Sequence, residues 1–277
     1  MITGGASGIG AALGRELASR GAAVILADRQ EEEANAVASE ITATGGKASA
    51  TAFDVRDPDA FDSSVQRVVE EHGRIDYLFN NAGIGVGGPF EDHTLDDWRY
   101  IMDVNVMGVI HGVRAVYPKM QQQGFGHIVN TASMAGQMPT PGLAAYGTTK
   151  HAVVGLSRSL RVEAEEHGVR VGAFCPGVIR TAILDKGGKF GRVRGWAGIF
   201  EPTPPDDERA MDVDQFAKLA LDQVALNRGI IILPGPWRIV RWLDRLPEPL
   251  SDRLHRWMQA RMKAEIEKRA RAAGSTP

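Results

Sequence analysis

Tyr146 and Lys150 stand four residues apart in the run AAYGTTK, and a helix stacks side chains at that spacing on one face. A phenol beside an ammonium is a proton-exchange pair. A free tyrosine holds its proton up to a pH of about 10, and a cation within a few ångströms favours the phenolate, so a lowered Tyr146 pKa is expected. Upstream, HIVNTAS reads as a buried strand through Ile128 and Val129 that ends at Ser133. A hydroxyl at a strand's carboxyl end faces the crevice where open α/β sheets bind ligands, so serine, tyrosine and lysine could converge on one substrate oxygen. The same pair could equally ride a solvated helix face, and its meaning depends on the elements that place it.

Those elements begin at Thr3 to Gly10, TGGASGIG, which runs into AALGRELASRG, an amphipathic helix with Leu13 and Leu17 on one side and Gly21 closing it. Gly4, Gly8 and Gly10 let backbone amides approach a pyrophosphate at a helix N-terminus, where the dipole favours anions; a plain glycine-rich turn is the alternative. AAVILAD follows, a short buried strand ending in Asp28, at the distance past the glycines where a dinucleotide fold holds adenosine ribose hydroxyls. Strands are expected over 48–53, 75–79, 169–174 and 229–233, with helices over 31–44, 58–72 and 212–227. A long helix opens at Thr94, with Asp97 as a partial capping box, and runs towards Tyr117; another carries Tyr146 and continues to His167. Asn105 lies inside the first of these among Ile101, Val104 and Val109, where it is either a satisfied core amide or a functional one. Such alternation implies an α/β fold, a parallel sheet covered by helices on both faces.

At 277 residues and 43% hydrophobic content, one large domain with a full core is expected. A formal net charge of -2 offers no global attraction to nucleic acid or anionic lipid. The single cysteine, Cys175, excludes an internal disulfide and any multi-cysteine zinc site. With no apolar run near the length of a membrane span and no signal-peptide pattern at the start, a soluble cytoplasmic protein is expected.

Taken together, these motifs resemble the short-chain dehydrogenases/reductases, from Thr3 to about Thr181. TGGASGIG, with Ser7 and Ile9 between its glycines, fits that family's Thr-Gly-x-x-x-Gly-x-Gly. Asp54-Val55 fits its adenine contact, and Asn80-Asn81-Ala82-Gly83 its Asn-Asn-Ala-Gly. Pro176-Gly177 through Thr181 fits its segment beside the nicotinamide, and Asn105, Ser133, Tyr146 and Lys150 its catalytic tetrad. The resemblance implies a Rossmann-type doubly wound parallel sheet in three layers, and hydride transfer between nicotinamide and a secondary alcohol or ketone. Tyr146 would be the general base or acid, and Lys150 would lower its pKa and hold the nicotinamide ribose. Ser133 would bond the substrate oxygen, and Asn105 would support a proton-relaying water. No metal is implied. NAD is expected over NADP, because Asp28 would accept hydrogen bonds from both ribose hydroxyls and repel a 2′-phosphate. Arg29 is the residue that could bind that phosphate instead.

Three features depart from the pattern. Only Met1 and Ile2 precede the Thr-Gly motif, which leaves the central strand nearly missing and raises the expectation that the native start lies upstream. Residues of about 182–210, rich in glycine and proline with Phe190, Trp196, Ile199 and Phe200 interspersed, resemble the family's lid over the substrate. Beyond a catalytic domain of 1–235, residues 236–277 form an expected helical extension with stripes of Ile239, Trp242, Leu243 and Leu246, then Leu250, Leu254, Trp257 and Met258. Ten basic residues face five acidic ones there. Packing on the same domain or a partner subunit is the favoured reading, ahead of covering an apolar substrate pocket or lying on a membrane surface. The lid and tail lean towards a bulky hydrophobic substrate, and the resemblance implies a homo-oligomer. Two other functions compete: a nucleotide-binding regulator without turnover, and an epimerase or dehydratase of the related extended fold. The intact tetrad argues against the first and the short helical tail against the second.

Overall fold

Short runs of branched apolar residues form the strands, and 3.6-residue stripes form the helices that cover them. The computed structural model describes residues 1–185, 187–194, 210–244, 246–247, 249–257, 260–261 and 264. In chain order these make β1 (Ile2–Thr3), α1 (Gly8–Ser19), β2 (Ala23–Asp28), α2 (Glu31–Ala43), β3 (Lys47–Ala52), α3 (Pro58–His72) and β4 (Tyr77–Asn80). There follow β5 (Val86–Gly87), α4 (Leu95–Met102), α5 (Gly108–Gln123), β6 (Gly126–Thr131), α6 (Ala144–Glu163) and β7 (Val169–Pro176). The chain continues with β8 (Arg192–Val193), α7 (Val213–Ala225), β9 (Ile230–Leu233) and α8 (Trp237–Leu243).

Among the described residues, seven strands form one sheet in the order β3-β2-β1-β4-β6-β7-β9, with parallel pairing throughout. The order reverses between β1 and β4, and a crevice opens there at the strands' carboxyl ends. The central strand keeps its place with two residues: Ile2 registers with Leu26 on one side and Phe79 on the other. One face of the sheet packs Leu13, Leu26 and Phe216 against α1 and α7. The other packs Phe61, Val116, Ile128 and Leu160 against α3, α5 and α6. Covering both faces removes the apolar strands from water, as a parallel sheet requires.

Local signals fix the helix ends. Asp57 accepts from the amides of Asp59 and Ala60 at 3.0 Å ahead of Pro58, and Gly73, at φ 74°, closes α3. The expected capping box forms in full: Thr94 accepts from Asp97 N, and Asp97 accepts from Thr94 N. The single helix expected from Thr94 to Tyr117 is instead three pieces. A π turn over Asp103–Met107 separates α4 from α5, and Asn105 sits in it. Such insertions concentrate at functional sites, since the extra residue re-aims a side chain.

The start of the extension packs on the domain, but through a different face from the apolar stripe. Trp237 and Val240, outside the expected stripe, pack on Met134, Met138, Val153 and Ile232, whereas Ile239 and Trp242 are 64% and 66% exposed. Leu250 and Trp257, in the helical run 249–257, are each 55% exposed, and Met258 lies outside the described residues. The reason is register: α8 meets the core through the face of Trp237 and Val240, which turns Ile239 and Trp242 outward. No helix among the described residues is long and apolar enough to cross a membrane.

Candidate active site

Five strand ends deliver the site. β1 releases the glycine loop, β2 ends on Asp28, β4 leads into Asn81-Ala82-Gly83, β6 into Ser133, and β7 into Pro176-Gly177. They surround a cavity of about 390 Å³ whose walls include Gly4, Ser7, Gly8, Ile9, Asp28, Arg29, Asp54, Val55, Asn81, Ala82 and Gly83. Ser133, Tyr146, Lys150, Pro176, Gly177 and Thr181 line the same space. Gly10 lies beneath the loop, where a side chain would collide with the Gly4 carbonyl. Gly4 has φ +67°, and a Cβ there would stand 2.9 Å from the Ala82 Cα. Two loops are thus packed backbone to backbone, tied by the Thr3 hydroxyl, which accepts from Asn81 N at 3.0 Å and Ala82 N at 3.1 Å. This bare backbone cradle fits a dinucleotide, with α1 beginning at Gly8 as the anion-favouring end.

At one end of the cavity Tyr146 and Lys150, both on α6 and both buried, lie beside Ser133. Ser133 caps a short turn by accepting from Ala135 N at 3.1 Å, and its hydroxyl bonds the Tyr146 phenol. The expected lowering of the Tyr146 pKa is reversed here. Burial pushes the phenol up to about 12, with the Ser133 bond pulling the other way. Burial also pulls Lys150 down to about 8. Its ammonium stands 5.5 Å from the Tyr146 ring centre and donates to the Thr131 carbonyl at 2.8 Å. Desolvation therefore outweighs the cation's influence, because low polarity penalises both charged forms.

Asn105 is engaged elsewhere. Its Oδ1 accepts from Ile84 N at 2.9 Å, and its Nδ2 donates to Ile84 O at 3.0 Å and Thr149 Oγ1 at 3.2 Å. Thr149 in turn donates to the Tyr146 carbonyl at 2.7 Å. The π turn aims this amide so that it clamps the strand-end loop at Ile84 to α6, and both amide hydrogens are spent.

At the other end, Asp28 Oδ2 accepts from Ala6 N at 3.1 Å and Oδ1 from Gln30 N at 3.0 Å. Each oxygen keeps a lone pair for a further donor. Arg29 is drawn away, 3.8 Å from Asp54 and with its guanidinium 4.0 Å over the Phe190 ring. Asp54 also holds Arg56 in a two-pronged pair at 2.7 and 3.1 Å. The described part of the expected lid is strapped down. β8 pairs with β5, and Arg192 and Arg194 bond the buried Asp97 at 3.0 and 3.1 Å. Burial opposes the Asp97 charge, but these bonds and those from Thr94 hold its carboxyl well below the usual range. Trp196, Ile199 and Phe200 lie outside the described residues. Sequence reasoning missed the Thr131 carbonyl, Glu33 and Lys189, all contacts between distant segments; Lys189 beside Phe190 in a loop carried no periodic signal.

A doubly wound parallel sheet, a glycine-rich loop at its switch point and a buried serine, tyrosine and lysine at one end of the crevice define a dinucleotide-fold oxidoreductase. The chain belongs to the short chain dehydrogenase family, which it matches over residues 1–189. It is 41% identical over 186 residues to oxidoreductase UcpA of Escherichia coli, covering 67% of this chain and 70% of that protein. It is 38% identical over 183 residues to 2,5-dichloro-2,5-cyclohexadiene-1,4-diol dehydrogenase LinX of Sphingobium indicum, covering 66% and 73%. A short-chain dehydrogenase/reductase from Burkholderia phymatum, solved in complex with NAD, superposes with a TM-score of 0.77 at 31% identity over 87% of this chain and 91% of that one. A metagenomic short-chain oxidoreductase in complex with NADP gives 0.68 at 32%, covering 84% and 95%.

Proposed function

We propose that this chain is an NAD-preferring dehydrogenase/reductase acting on a secondary alcohol or ketone with a bulky hydrophobic frame. The observation that carries the reading is the buried Ser133–Tyr146 hydroxyl pair beside Lys150, at one end of a cleft whose other end presents Asp28. When bound, the nicotinamide would supply or accept the hydride. Gly4, Ser7, Gly8, Ile9 and Gly10 would hold its pyrophosphate, Asp28 the adenosine ribose with Arg29 turned aside to Asp54 and Phe190, and Asp54 and Val55 the adenine. Asn81, Ala82, Gly83, Pro176, Gly177 and Thr181 would line the nicotinamide half.

Tyr146, with a pKa near 12, is protonated at neutral pH and is set to donate its proton to a carbonyl oxygen. Oxidation needs the reverse, and the Lys150 ammonium, largely charged below its pKa of about 8, is the group that would stabilise the phenolate. Ser133 would donate to the same substrate oxygen, favouring the alkoxide-like charge of the transition state. Asn105 would act by holding the Ile84 loop and α6 in register, and any relayed water would be held by main-chain groups of the π turn. Ile84, Tyr100, Val104, Ile183 and Leu184 give the cavity an apolar wall, which favours a hydrophobic substrate. The exposed Ile239, Trp242, Leu250 and Trp257 favour packing against a partner subunit, and a cytoplasmic homo-oligomer belongs to the same reading.

NAD preference follows from Asp28 and from the engagement of Arg29 by Asp54 and Phe190. A panel of hydroxysteroids, terpene alcohols and aliphatic alcohols, followed at the absorbance of the reduced nicotinamide, tests the activity. The expected result is a higher kcat/KM with NAD, and a narrower gap between cofactors in Asp28→Ala. Equal or better efficiency with NADP would mean that Arg29 governs the ribose end.

A further inference from the structure

The described part of the lid reaches past the catalytic residues to the adenosine end of the cleft. Anchored through β8 and Asp97, it brings Lys189 Nζ to 2.8 Å from Glu33 Oε1 on α2 and lays Phe190 beneath Arg29. Glu33, Lys189 and Phe190 line the same cavity as Asp28. Asp28, Arg29, Glu33, Asp54 and Lys189 therefore line this end of the cavity, and their pairing is uneven. Asp54 takes Arg56 and Arg29, and Glu33 takes Lys189. Asp28 is bonded by backbone amides and makes no ion pair among the described residues. Among the described residues, the two cations that line this end of the cavity are each matched to an acid other than Asp28: Arg29 to Asp54 and Lys189 to Glu33.

We propose that Glu33 is a cofactor-specificity residue: by pairing with Lys189 it withholds the lid's cation from the 2′-phosphate of NADP, and so leaves the charge of Asp28 uncompensated. This inference rests on the nucleotide site described above. A ribose 2′-phosphate carries close to two negative charges, and an unpaired lysine on the outer wall would offset Asp28. Bound to Glu33, the same lysine is half of a neutral pair. Glu33 acts through Lys189 and is a positioning residue, and the Lys189 hydrogen bond holds its carboxyl below the usual range. The two side chains are 49% and 61% exposed, so solvent screens the effect and added salt weakens it.

The test is binding of 5′-AMP and 2′,5′-ADP to the full chain by calorimetry at low ionic strength, in wild type, Glu33→Gln, Lys189→Ala and the double variant. Glu33→Gln is expected to tighten 2′,5′-ADP by about two- to fivefold, the size of one exposed charge pair, with 5′-AMP changed less than about twofold. The double variant is expected to return to wild-type affinity for both. An equal gain in the double variant would mean that removing a negative charge suffices and Lys189 plays no part, which overturns the proposal, as does no gain in Glu33→Gln. A wild-type protein that binds neither nucleotide would instead overturn the nucleotide site itself, so the two failures are distinct.

Discussion

Replacing Lys150 with methionine, close in length and apolar, should stabilise the nucleotide-free protein at neutral pH while abolishing turnover. The lysine is 4% exposed, and its ammonium is held by the Thr131 carbonyl at 2.8 Å. Burial lowers its pKa from 10.5 to about 8. At 1.36 kcal/mol per pH unit, that difference of 2.5 (10.5 minus 8) amounts to roughly 3 kcal/mol borne by the protonated form. Methionine removes this burden but leaves the Thr131 carbonyl without its donor, which returns about 1–2 kcal/mol. The net gain expected at pH 7 is about 1–2 kcal/mol.

Its pH dependence identifies the cause. Because the folded pKa lies below the unfolded one, the unfolded wild type binds more protons between pH 8 and 10.5, and wild-type stability gains over that window. The advantage of Lys150→Met should therefore shrink as pH rises from 8 and be lost by 10.5. Tyr146 and Cys175, both raised to about 12 by burial, lower stability at alkaline pH in both proteins; the Lys150 charge pulls Cys175 down, so its loss deepens that alkaline destabilisation in the variant and shrinks the advantage in the same direction. Urea unfolding of both proteins across pH 7 to 10 measures this, provided that the slopes agree. A variant less stable than wild type at pH 7, or a difference constant with pH, would refute the claim that burial of charge dominates at Lys150.

Tyr146→Phe should lower turnover by about 10²–10⁴-fold with nucleotide affinity unchanged, since the hydroxyl moves a proton and the ring still packs; a variant keeping a tenth of the wild-type rate would remove Tyr146 from the chemistry. Asp97→Ala loses the Asp97 half of the α4 capping box and the bonds to Arg192 and Arg194, and urea unfolding should show a loss of about 1–3 kcal/mol, because a cap gives about 0.5–2 and the arginines are half exposed. Asp97 is held below its unfolded pKa, so its contribution is present above pH about 4 and fades as pH falls; a gap that widens in acid would contradict this.

The sequence alone determined the class of fold and which residues were candidates for the site. Alternating apolar runs and helical stripes admit few solutions other than a covered parallel sheet, and Asp57-Pro58 and Thr94-Asp97 carried their helix starts in the local chain. Gly4, Asp28, Asn81, Ser133, Tyr146 and Lys150, which the fold brings to one cavity, were legible because each is a residue type at a fixed place along a strand or helix, the signal on which their proposed roles rest. Tertiary structure decided what depends on distance in space. A four-residue spacing says that Tyr146 and Lys150 are neighbours, but only burial sets the sign of their pKa shifts, since desolvation is a property of the surrounding packing. The π turn at Asn105 and the outward faces of Ile239 and Trp242 arise from register against other elements, which periodicity leaves open. The pairing of Lys189 with Glu33 joins residues 156 positions apart; no local pattern encodes it, because an ion pair of that kind exists only once the loop at Lys189 lies against α2 in the folded chain.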